Sequence, residues 1–138
     1  MENKYPLYTE LAISEIIQTN YYTIFLRSDD IVQIHFADNF DCELEDAKQL
    51  VAGILKVCNN KPYPLLVIYG MFNTFSKEVN KYIASHNYTL ADALVGDSIA
   101  FKIVGNFYMK INTPVRPTKL FVDVESAVEW LLQFKNKE

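Results

Sequence analysis

The sequence predicts an α/β domain: a mixed, mostly parallel sheet of about five strands with four helices, entered through an N-terminal β-hairpin. Three observations carry this. Strand and helix signals alternate from residue 31 to residue 134, the pattern of right-handed βαβ crossovers. The β-branched and aromatic runs 22–26 and 31–36 flank the turn residues Arg27-Ser28-Asp29-Asp30, as a hairpin requires. Half of the 138 residues are apolar, enough to fill one core of ordinary domain size.

The elements follow in order. Residues 1–20 are the least periodic, because Leu11, Ile13, Ile16 and Ile17 fit neither a helix nor a strand; an extra strand or an arm is expected there. After the hairpin, Leu44, Ala47, Val51, Ile54, Leu55 and Cys58 share one face of a helix over 43–58. The acids Glu43, Glu45 and Asp46 complement its dipole, and Asn59-Asn60-Lys61-Pro62 ends it. Leu65-Leu66-Val67-Ile68-Tyr69 is a continuous apolar run, expected of a strand covered on both faces. Ser76 is placed to cap a second helix that reaches Ser85. A strand over 91–95 leads to a third helix, capped by Asp97 or Ser98 and running to Ile111, with Ile99, Ile103, Phe107 and Ile111 recurring every fourth residue. A last strand, Leu120–Val122, precedes a helix capped by Asp123 with Val124, Ala127, Val128, Leu131 and Phe134 facing the core. With no repeat, linker or low-complexity tract, residues 1–138 read as one domain.

Composition narrows the class of activity. A net charge of -4 argues against nucleic acid, which needs clustered Lys and Arg to displace counterions. No apolar run approaches the roughly 20 residues that span a bilayer. The N-terminal residues lack a signal-peptide pattern, so a cytoplasmic location is expected, with Cys42 and Cys58 reduced. No nucleophile elbow, phosphate loop or metal-binding spacing occurs, so neither an enzyme nor a cofactor is expected. His35 and His86 are read as structural or solvated, and Lys102, Lys110, Arg116 and Lys119 as a solvated basic face.

A family resemblance rests on three C-terminal stretches. These are Asn106-Phe107-Tyr108-Met109-Lys110-Ile111-Asn112 with Pro114, then Pro117-Thr118-Lys119-Leu120-Phe121, then Ala127-Val128-Glu129-Trp130-Leu131. Together with Thr23–Leu26, Glu45-Asp46-Ala47 and Pro64–Val67 upstream, they resemble small bacterial STAS-like proteins. Those are similar to sporulation anti-sigma-factor antagonists and to the lipid-binding CRAL-TRIO fold. The resemblance covers roughly residues 19–134 and implies a regulatory protein-interaction module without a reaction or a cofactor. In the antagonists a phosphorylated serine opens the helix after the central strand. The matching place here is Asn73-Thr74-Phe75-Ser76, where the family's Asp-Ser-Ser-Gly-type signature is absent. Ser76 and Thr74 are thus positional candidates for a phospho-switch or a partner contact.

Two further groups of residues are singled out. Gly70 and Gly96 both follow strands, and ligands of open α/β sheets bind just beyond strand carboxyl ends. The glycines themselves are read as permitting tight turns. Met71, Phe72, Phe75 and Phe101 add an aromatic surplus, with Phe101 expected to be exposed off the main stripe of the third helix. Gly70, Met71, Phe72, Phe75 and Phe101 are therefore candidates for a ligand groove or an interface. Two functions follow as expectations: binding another protein, or carrying or sensing a small apolar ligand or lipid. A homodimer is the expected quaternary state.

Overall fold

The structure, a computed structural model, describes residues 12–85, 88–96, 101, 105, 110 and 115–134. In chain order its elements are β1 (Ile17–Gln18), β2 (Tyr22–Leu26), β3 (Val32–Phe36), β4 (Asp41–Cys42), α1 (Leu44–Val57), β5 (Leu65–Ile68), β6 (Thr74–Phe75), α2 (Lys77–Ser85), β7 (Asp92–Val95), β8 (Thr118–Phe121) and α3 (Val124–Leu131). A 3-10 turn, Leu132–Phe134, continues α3.

Among the described residues the main sheet has six strands, close to the five or so expected, in the order β1-β2-β3-β5-β7-β8. β1, β2 and β3 pair antiparallel, and β3, β5, β7 and β8 pair parallel. The expected hairpin is present, with Leu26 opposite Val32 and Tyr22 opposite Phe36. Within the N-terminal stretch, Ala12 adds a bridge to Arg27 and β1 pairs with β2. A separate two-stranded ribbon, β4 with β6, was not anticipated, because two-residue strands carry no periodicity.

Each step from β3 through β5 and β7 to β8 moves one place in the same direction. Right-handed crossovers of that kind put their connections on one face of the sheet. Accordingly α1 packs on α2 and β2, while α3, which follows the last strand, packs on β5, β7 and β8 from the opposite face. Side-chain alternation sorts the residues between the faces. Ile24, Ile34, Val67 and Leu94 face α1 and α2, with Ala47, Leu50 and Ile54 opposite them. Leu66, Ala93 and Val95 face Ala127 and Leu131 of α3.

The helix ends follow from local chemistry. The Asp46 carboxylate accepts the Glu43 N–H at the start of α1 (2.9 Å). At the other end Asn59 and Asn60 adopt left-handed backbone, φ 52° and 60°. Their N–H groups donate to the Lys56 and Leu55 carbonyls, which closes the helix as a Schellman motif. Asp123 caps α3 by accepting the Ser126 N–H (2.7 Å), a bond that holds its carboxyl below the usual range.

Two expectations about the C-terminal half need adjusting. The last strand ends at Phe121, and Val122 is exposed in the turn to α3. The predicted third helix lies mostly outside the described residues, although Phe101, Gly105 and Lys110 have helical backbone.

Candidate functional site

An apolar cavity of about 650 Å³ lies between the sheet and the α1/α2 layer. Ile34 and Phe36 of β3, Leu65 and Val67 of β5 and Leu94 of β7 supply one wall. Ala47, Leu50, Val51 and Ile54 of α1 and Ile83 of α2 supply the other. These residues line it because strand alternation and the 3.6-residue helical period both aim them inward. The lining continues to Met71 and Phe72, which are 61% and 73% exposed, so the cavity opens at the loop after β5.

That loop is tied to the loop after β3. Met71 N–H donates to the Asp38 carboxylate, and Asn39 N–H donates to the Met71 carbonyl (both 2.8 Å). The Asn73 side chain accepts the Gly70 N–H and donates to the Ala37 carbonyl (both 2.8 Å). Phe72 is held at φ 58°, a left-handed conformation that costs a bulky residue on the order of 1–3 kcal/mol. Gly70 and Gly96 are not left-handed. They are required by close approach: a Cβ on Gly70 would lie 2.8 Å from the Phe36 carbonyl oxygen, and one on Gly96 would overlap the Phe101 ring. Close packing, rather than turn geometry, explains both glycines.

At the amino ends of the parallel strands the cavity meets a buried charge. Asp92, aligned with Leu65 and Thr118, is 4% exposed and lines it. The Arg116 Nε–H donates to Asp92 Oδ2 (2.8 Å), Arg116 Nη2 is ion-paired to the same oxygen at 2.7 Å, and the Thr89 hydroxyl donates to Oδ1 (2.5 Å). Burial raises the Asp92 carboxyl above its ordinary range, and the Arg116 charge opposes that rise. Arg116 also donates to the Ile83 carbonyl (3.0 Å) and lies over the Tyr88 ring. The solvated reading of Arg116 is therefore corrected: it is 5% exposed and ties β7, β8 and α2 together. Lys110 and Lys119 are exposed, and Lys102 lies outside the described residues. Sequence reasoning missed Asp92; the signal that could have found it is strand alternation, which puts it on the same face as Leu94, where a charge demands a partner.

The other candidates take the following places. The Ser76 hydroxyl accepts the Val79 N–H (3.2 Å) and caps α2. Thr74, on β6, lines the cavity mouth and donates its hydroxyl proton to the Asp41 carboxylate (2.6 Å). Phe75 packs edge-on against Phe36 and Tyr69. Phe101 is half-buried against Tyr69 rather than exposed, because the bare Gly96 backbone admits its ring. Gly70, Met71, Phe72, Thr74, Phe75 and Phe101 thus all line one cavity, and Ser76 stands one residue beyond it. Cys42 and Cys58 are buried, and burial pushes both thiols up to about 12, aided at Cys42 by Asp46 and Glu43. His35 is half-buried, and His86 lies outside the described residues. Among the described residues no group of three or more His, Cys, Asp or Glu could hold a metal ion, and no helix is long and apolar enough to cross a membrane.

Comparison with known proteins supports this fold. A family described as a domain of unknown function, DUF7793, matches residues 24–135. An uncharacterized protein of the DUF3478 family from Shewanella loihica PV-4, described as having a SpoIIAA-like fold, superposes with a TM-score of 0.52. That match covers 83% of this chain and 98% of the other at 14% identity. A protein with unknown function from Arthrobacter sp. FB24 gives a TM-score of 0.30 at 21% identity, over 78% of this chain and 96% of that one. No curated protein matches the sequence. The fold is thus SpoIIAA-like, that is, STAS-like.

Proposed function

The chain belongs to the DUF7793 family, and on that premise we propose that it is a non-enzymatic STAS-like module that binds a small apolar molecule. The observation that carries this reading is the cavity of about 650 Å³ opening beside Met71 and Phe72. Its volume lies within the roughly 300–1,000 Å³ of small-molecule sites, and its walls are aliphatic and aromatic. A core of this size normally closes to near-crystalline density, so an open volume of this kind is suited to a guest. The fluorescent apolar probe phenylnaphthylamine tests the reading. Saturable binding that is lost in Leu50→Trp, which fills the cavity, is expected; absence of saturable binding to the wild-type protein would overturn it.

A second reading, regulatory binding of another protein, is favoured by the exposed and strained Met71–Phe72 tip. Tyr21, 52% exposed, stacks on Phe40, whose neighbour Asn39 bonds the Met71 carbonyl. The same tip is where two copies of the chain would meet in a homodimer. Of the two phospho-switch candidates Ser76 is the better placed. A phosphate there would sit at the α2 N-terminus, whereas one on Thr74 would face the Asp41 carboxylate. Photo-crosslinking from position 72 in cells, compared with a Ser76→Asp background, tests this. A partner captured unchanged from position 72 in a Met71→Ser variant would remove the tip from the reading.

A further inference from the structure

We infer that the cavity selects an uncharged amphiphile whose head group donates a hydrogen bond, such as a long-chain alcohol, and rejects the corresponding carboxylate. The inference rests on the ligand-binding reading above and adds the chemistry of the guest.

The polar groups at the two ends of the cavity carry it. At the inner end Asp92 lines the cavity, whereas its partner Arg116 stands behind it and does not. Asp92 is the only charged residue in the lining among the described residues. A carboxylate has about four acceptor positions; the Arg116 Nε–H fills one on Oδ2 and the Thr89 hydroxyl one on Oδ1, with Arg116 Nη2 ion-paired to Oδ2. Beside it Thr118 gives its hydroxyl proton to the Arg116 carbonyl (3.0 Å), so its oxygen presents lone pairs. The inner end therefore offers acceptors to a guest.

The mouth leans the same way: Thr74 gives its proton to Asp41, and the Asn73 amide uses its oxygen and one of its two N–H groups within the loop. Asp38 and Asp41 stand behind these residues, so an anionic head would meet like charge here also. Among the described residues, a head group at the inner end meets the oxygen acceptors of Asp92 and Thr118, and one at the mouth meets Thr74 backed by the Asp41 carboxylate. A donor satisfies them; a carboxylate is repelled in a poorly solvated site, and an ester leaves them unpaired.

Displacement of bound phenylnaphthylamine by dodecanol, methyl dodecanoate and dodecanoate, at a pH well above the carboxylate range, decides the matter. The ester is more apolar than the alcohol, so hydrophobicity alone would rank it first. We expect dodecanol to displace at about tenfold lower concentration than the ester, the worth of one net hydrogen bond, and dodecanoate to be the weakest. An ester equal to or better than the alcohol, or a carboxylate matching it, overturns the inference while leaving the cavity reading intact. Failure of the probe itself to bind overturns both. Asp92→Asn, or the surface change Asp41→Asn should the buried variant not fold, is expected to narrow the alcohol–ester gap; a gap unchanged in both folded variants also overturns it.

Discussion

On the α3 side of the sheet, Ala91, Ala93 and Ala127 keep side chains short, and Leu66 and Leu131 fill the space between helix and strands with no exposure. On the α1/α2 side, larger residues such as Ile34, Leu50, Ile54, Val67 and Leu94 meet across the cavity instead. Small side chains let a helix settle onto the sheet, whereas large ones on both walls prop the layers apart unless they interdigitate. One face therefore serves stability, and the other gives up packing in exchange for volume. The face with volume is also the one that carries the buried ion pair and the strained loop.

This contrast can be broken most forcefully at its polar end. Arg116→Met leaves Asp92 buried without a counter-charge and should cost on the order of 3–5 kcal/mol in denaturant unfolding. The two faces can then be compared directly. Leu66→Ala, on the filled face, should cost about 3–4 kcal/mol, and Leu50→Ala, whose side chain already borders open volume, about 2 kcal/mol. Equal losses would mean that the cavity is occupied or collapsed in solution.

Smaller effects sharpen the picture. The folded state holds the Cys58 thiol protonated up to about 12, whereas an unfolded thiol ionises near 9.0. Above pH 9 the unfolded state therefore binds fewer protons, and this group makes stability fall as pH rises, by about 1.4 kcal/mol per pH unit until the folded thiol also ionises. Cys58→Ala should show a shallower alkaline loss in the same unfolding series. Both cysteines should resist a thiol reagent at neutral pH until the protein unfolds. Ser76→Ala should cost only about 1 kcal/mol, the worth of one helix cap.

Much of the scaffold was legible because its signals are local. Tyr22–Leu26 and Val32–Phe36 alternate around turn residues, the Leu44–Val57 helix carries its acids and its stop sequence, and Asp123 announces α3. The β4/β6 ribbon was not legible, since its pairing links residues 33 positions apart through two-residue strands. The loop candidates Gly70, Met71 and Phe72 were found from the rule that ligands sit beyond strand ends. The cavity behind them was not, because side-chain types do not specify how completely opposing walls interdigitate. Arg116 was misplaced for a related reason: its partner Asp92 lies 24 residues away, and charge counting along the chain does not see across a sheet.

The sequential strand order has a consequence for solubility. Among the described residues β8 is an edge strand of the main sheet, four residues long, and its outer backbone is a template on which another chain could stack. Lys119 stands exposed in its middle, with its ammonium over the Phe121 ring. A charge there penalises a second strand laid alongside, while its stem shields the aromatic face. At the opposite edge β1 is only two residues long, too short to recruit a neighbour. Among the described residues, the strand order thus ends the sheet in two edges poorly suited to fibrillar growth.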